Sequence, residues 1–168
     1  MVISLKGQRN TEFAILPCGS VASNTGVIVT LATLEVVKSG KAVALSFPAL
    51  IHEVKRQLKL AESFKHLIVV DGCKNKCAKK LAEHLRLMYE AYLNLADLEI
   101  KKLGPFSSNE YGEEDVKLVK KVLLDIIEEI EWFGALHPLS GRNTPISSFH
   151  RSLPALLSDF TLAIPVCC

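Results

Sequence analysis

Strand-like and helix-like stretches alternate along the first two thirds of the chain, and that alternation predicts an α/β protein built as a three-layer parallel sheet. Two further observations support it. The run Leu67-Ile68-Val69-Val70 is apolar without a break, as a buried strand is, and it ends at Asp71-Gly72. Thiols follow both this run and an earlier strand candidate, at the position where an open α/β sheet places its ligands.

The first strand candidate is Glu12 to Pro17, leading into the loop Cys18-Gly19-Ser20-Val21-Ala22-Ser23-Asn24-Thr25-Gly26. A small, polar loop ahead of the apolar run Val27 to Ala32 is a strand-to-helix turn, with Ser23, Asn24 or Thr25 available as N-cap. Such a loop offers backbone N–H groups to an anion, so Gly19, Ser20, Ser23 and Asn24 are candidate ligand-binding residues. It lacks the Gly-Lys-Ser/Thr ending of a P-loop. The helix should stop near Ser39-Gly40. Lys41 to Phe47 reads as the second strand, and Pro48 opens a helix through about Leu60, with an apolar face of Leu50, Ile51, Val54, Leu58 and Ala61. His66 to Asp71 is the third strand. A helix is expected from about Asn75 to Leu85 or slightly further, which places Cys77 one turn beyond Cys73. Ala91 to Ala96 reads as the fourth strand.

Composition changes at Gly104-Pro105-Phe106-Ser107, and from Glu113 to Phe133 the residues Val116, Val119, Val122, Leu123, Ile126, Ile127 and Ile130 recur at helical spacing. The expected organisation is therefore an α/β domain over residues 1–104 and a C-terminal helical extension over 105–168 packed on it. A turn-rich loop follows Leu136, then a short helix from about Ser147 to Leu157, and the chain closes on Cys167-Cys168.

The thiols constrain the topology. Cys18 and Cys73 each follow a strand, and their loops meet only if the first and third strands are neighbours, as in the flavodoxin/Rossmann-like order 2-1-3-4. A thiolate there gains from helix N-termini and from Lys74, Lys76, Lys79 and Lys80. Asp71 is expected to accept backbone N–H bonds, and Gly72 to permit a close approach.

Totals exclude several classes. The 20 basic and 18 acidic residues are spread in both signs, so nothing argues for nucleic acid. No apolar run approaches the roughly 18 residues that span a bilayer, and the N-terminus has no apolar leader, so no membrane partner and a cytoplasmic location are expected. Five cysteines are an odd number, unlike a secreted disulfide framework, and clustered thiols in a reducing compartment bind metal or do chemistry. The positive mean hydropathy points weakly to a homo-oligomer, and the 18–25 loop to a small-molecule or anionic ligand.

Taken together, Cys18-Gly-Ser-x-x-Ser-Asn24, Asp71-Gly-Cys73-x-x-x-Cys77-Ala78-x-Lys80 and the closing Asp97-Leu98-Glu99-Ile100-Lys101-Lys102 resemble the DGC-motif (Asp-Gly-Cys) family, inferred to bind zinc. The likeness covers about residues 12–103. It implies a domain with four zinc-chelating cysteines and no defined reaction. One of those four, at about Ala44-Leu45-Ser46, is missing here. The expected metal ligands are therefore Cys18, Cys73 and Cys77, with Cys168 (or Cys167) from the tail, His52 or water completing a tetrahedral zinc site. The alternative is a thiol enzyme in which Cys73, at a helix N-terminus, is the redox or nucleophilic cysteine and the 18–25 loop binds an anion.

Overall fold

The computed structural model describes residues 11–136. Four parallel strands, β1 (Phe13–Pro17), β2 (Val43–Ala44), β3 (His66–Asp71) and β4 (Ala91–Asn94), form one sheet in the order β2-β1-β3-β4. This is the 2-1-3-4 order that convergence of the thiols requires. β1 lies in register with β3 from Phe13 opposite His66 to Pro17 opposite Val70. Both strands are buried along their whole length, which is why their sequences are apolar runs rather than alternating ones.

The helices are α1 (Asn24–Lys38), α2 (Phe47–Ile51), α3 (Lys55–Ser63), α4 (Cys77–His84) and α5 (Glu113–Leu136). Right-handed crossovers put α1 on one face of the sheet and α2 to α4 on the other. α5 packs on α1 and α2 meets both α3 and α4, giving the three layers. Lys120 pairs with Glu35 at 3.6 Å and Lys41 with Glu131 at 3.5 Å, so α1 and α5 run in the same direction. Ile15, Leu16, Ile28, Val29, Ile68, Val69, Leu123 and Ile127 are fully buried, so α5 shares the core of the sheet.

Several elements differ from the sequence reading. β2 keeps two residues of the seven expected, because it lies on the sheet edge and leaves β1 after the Leu45 N–H bonds to the Ile15 carbonyl at 2.8 Å. The helix expected from Pro48 to Leu60 is two helices. α2 ends in a Schellman motif, in which the Val54 N–H bonds to the Ala49 carbonyl and the Glu53 N–H to that of Leu50, with Glu53 at φ 48°. Ending there leaves Ile51 and Val54 exposed, and α3 carries Leu58 and Ala61 back to the core. β4 stops at Asn94, where the Asn94 side chain accepts the Ala96 N–H at 3.0 Å and turns the chain into a 3-10 helix, Leu95–Leu98. The helix expected from Asn75 starts at Cys77, after Lys76 in a left-handed conformation.

At the amino end of the sheet, the His66 ring stacks on Phe13 at 4.7 Å and hydrogen-bonds the Glu90 carboxylate. Among the described residues no helix is long and apolar enough to cross a membrane.

Candidate functional site at the carboxyl edge of the sheet

Asp71, Gly72 and Cys73 each have a separate task, set by where β3 ends. Asp71 is buried, and its two carboxylate oxygens accept the N–H groups of Ala78 at 2.8 Å and Lys79 at 3.0 Å. A helix leaves its first N–H groups unpaired, and here a carboxylate from the preceding strand end satisfies two of them in α4. The expected backbone acceptor role of Asp71 is present, reaching seven and eight residues ahead rather than within its own turn.

Gly72 lies against the first turn of α1. A Cβ there would sit 2.9 Å from the carbonyl carbon and oxygen of Thr25, closer than real contacts allow. Gly26, on the other side of the junction, is tighter still, with a would-be Cβ 1.8 Å from the Ser20 carbonyl oxygen. Hydrogen at both positions lets the Cys18 loop, the Gly72 turn and the start of α1 nest together.

Cys18 is buried, and its N–H bonds to the Val70 carbonyl at 2.9 Å, so it extends the β1–β3 pairing by one residue. Burial pushes its thiol pKa above the ordinary thiol value. Backbone hydrogen bonds from Ser20 and Gly72 pull the other way, and the charges of Asp71 and Cys77 push up again. Cys73 is half-buried in a turn closed by the Lys76 N–H on the Cys73 carbonyl at 3.1 Å. The Asn94 amide donates to the same carbonyl at 3.1 Å, and the Lys102 ammonium lies 3.9 Å from the Cys73 sulfur. Cys77 is exposed at the first position of α4. The two thiols of the Cys73-x-x-x-Cys77 motif therefore do not share a helix face, because residues 73–76 form a turn and only Cys77 is helical.

Some amides of the 18–25 loop and the turn after it are engaged within the protein, the Ala22 N–H with the Ser20 hydroxyl at 3.4 Å. The Asn24 N–H donates to the Ser107 hydroxyl at 3.2 Å and the Gly26 N–H to the Ser23 carbonyl at 3.1 Å. Ser23 occupies the N-cap position without a side-chain cap bond. The Asn24 side chain is a clamp: its amide donates to the Lys101 carbonyl at 2.9 Å and its oxygen accepts the Leu103 N–H at 3.1 Å. Gly19, at φ +61°, and Ser20 are exposed. The backbone of Ser20 and Gly72 favours charge on the Cys18 sulfur, but not enough to offset its burial.

Three residues with no place in the sequence reading hold the site together. Asn94 ties Cys73 to β4 and also bonds the Tyr92 hydroxyl at 2.9 Å. Burial raises the Tyr92 phenol pKa, opposed by the Asn94 bond and reinforced by the Asp71 carboxylate, and Lys79 sits over the ring at 4.8 Å. Ser107 closes the 101–108 segment onto α1. An Asn two residues ahead of Ala96 is a turn signal legible in the sequence; the bond that Ser107 accepts from the Asn24 N–H, 83 residues away, has none.

Whether these residues suit a metal divides into chemistry and geometry. Thiolates are the ligands that zinc and other soft ions take. Among the described residues, however, no group of three or more His, Cys, Asp or Glu side chains is placed to hold an ion. Cys167, Cys168 and the segments after Leu136 expected as a loop and a short helix lie outside the described residues.

Comparison with curated proteins and with solved structures found no match. The family model described as DGC domain matches residues 14–122, from β1 into the first half of α5, and so spans Cys18, Asp71, Gly72, Cys73, Cys77, Asn94 and Ser107. With its Asp-Gly-Cys turn at the end of β3, the chain belongs to the DGC domain family.

Proposed function

We propose that the chain binds one zinc ion through the thiolates of Cys18, Cys73 and Cys77, with Cys168 as the fourth ligand. The observation that carries this reading is the Cys18 N–H bond to the Val70 carbonyl at 2.9 Å, which sets one thiol beside the strand that delivers the other two. Family membership supports it. Zinc at such a site supplies fixed positive charge that keeps thiolates ionised, and a fourth position left to water would give it Lewis-acid character. The protein's own part is to hold Cys18 by sheet pairing, to fix Cys73 through Asn94, and to offer Ser20 and Gly72 amides to the Cys18 sulfur.

Elemental analysis of the full chain purified without chelator or affinity metal tests the reading, with about one zinc per chain expected. Replacing Cys18, Cys73, Cys77 or Cys168 by Ser should each weaken retention against a competing chelator. Metal-free protein with freely titrating thiols would overturn it.

A second reading is favoured by one contact. The Lys102 ammonium lies 3.9 Å from the Cys73 sulfur, a neighbour that suits a nucleophilic or redox cysteine. The rate of alkylation at Cys73 separates the two readings. Metal-free protein whose Cys73 is alkylated faster than its Cys77, with that advantage lost in Lys102→Gln, supports the thiol reading.

A further inference from the structure

The carboxyl edge that carries the thiols is also where the surface separates its charges. On the β3–α4 side stand Lys74, Lys76, Lys79 and Lys80, joined by Lys101 and Lys102 from the segment after β4. Asp97 and Glu99 reduce that charge without reversing it. Lys102 reaches the Cys73 sulfur, so this flank borders the thiols directly.

The opposite flank is acidic. Ser107 and Ser108 bond to Asn24 and to the Val21 carbonyl, which fixes the segment leading into α5 against the start of α1. α1 and α5 run in the same direction, so the start of α5 also lies at this edge. It carries Glu110, Glu113, Glu114 and Asp115 against the single Lys117.

Between the flanks stands an exposed apolar group, Val21, Leu103, Phe106 and Tyr111. Phe106 is 97% exposed, and its backbone sits at φ 67°. Bulky residues avoid that region, so the turn after Pro105 holds an aromatic ring in solvent where glycine would be the relaxed choice. Buried aromatic anchors dominate the binding energy of protein interfaces.

A basic flank, an apolar centre and an acidic flank on one face are self-complementary under a two-fold rotation. We infer that two copies of the chain dock through this edge, the lysine flank of each against the acidic flank of the other, with Phe106 at the centre. An isologous contact uses both signs at once, which an acidic or a basic foreign partner would not. This reading stands apart from metal binding, although the dimer covers Cys73 and Cys77.

The test is sedimentation of the full chain at micromolar concentration, at low and high salt, with and without chelator. A dimer is expected, weakened by salt and indifferent to chelator. Phe106→Gly removes the ring while relaxing the backbone, and should weaken association at least ~10-fold without loss of folding. The charge reversals Lys101→Glu with Lys102→Glu, and Glu110→Lys with Glu113→Lys, should each give monomers, and mixing the two variants should restore a heterodimer. A chain monomeric at all concentrations overturns the inference, as does a dimer that chelator dissociates or one that neither Phe106→Gly nor the reversals affect. Failure of the reversed pairs to recombine, with each folded, also overturns it.

Discussion

At the scale of single residues, the Asp-Gly-Cys triplet is three solutions to one crowded junction. Asp71→Ala removes the acceptor for two N–H groups at the start of α4 and should cost about 2 kcal/mol in denaturant unfolding, the upper end for a lost helix cap. Gly26→Ala should be worse than Gly72→Ala. The first forces a Cβ to 1.8 Å from a carbonyl oxygen, the second to 2.9 Å from backbone atoms, so the expected order of melting temperatures is wild type, then Gly72→Ala, then Gly26→Ala. Burial raises the pKa of both the Cys18 thiol and the Tyr92 phenol in the folded chain. The unfolded chain therefore loses these protons first as pH rises, and stability should fall through roughly pH 8 to 11. Urea titrations across that window should show a shallower slope in a Cys18→Ser, Tyr92→Phe double variant. The same elevation means that uptake of zinc by Cys18 would release a proton, so affinity measured by chelator competition should weaken on acidification. The tasks of Gly72 and Asp71 were legible because a backbone approach and a carboxylate acceptor follow from residue type alone. Lys102 was not, since nothing local ties it to a residue 29 positions away.

Among the elements, legibility followed burial. β3 was read to the residue because a strand covered on both faces leaves no polar interruption, whereas β2 was overextended because an edge strand ends where its single neighbour stops pairing. The break between α2 and α3 was invisible for a specific reason. The apolar spacing of Leu50, Val54 and Leu58 fits a continuous helix, and the residue that breaks it is a glutamate in a conformation usually given to glycine. Glu53→Gly should accordingly stabilise the chain by up to about 1 kcal/mol, read from a shift in the urea midpoint at constant slope. The start of the segment after β4 is held to α1 by the Asn24 side chain, and its end by Ser107 and Ser108. Asn24→Ala frees the Lys101 carbonyl and the Leu103 N–H, and amide hydrogen exchange at 101–108 should rise while exchange in β1 and β3 stays slow.

For the whole molecule, the order β2-β1-β3-β4 was recoverable because chemistry and topology constrain each other: thiols on two non-consecutive strands can meet only if those strands are neighbours. A fourth ligand was not recoverable in that way, because no periodicity ties Cys167 or Cys168 to a strand end, and both lie outside the described residues. α5, which buries Val119, Leu123 and Ile127 against the layers beneath, belongs to the same core as the sheet. The external cap on α4 also bears on the order of folding. A helix of eight residues is too short to persist alone, and its capping carboxylate belongs to a strand that must itself be paired on both sides. α4 should thus consolidate only after β3 has found β1, so substitutions within α4 would speed unfolding and leave the refolding rate nearly untouched. The thiol at its first turn would then be among the last groups to reach its native place.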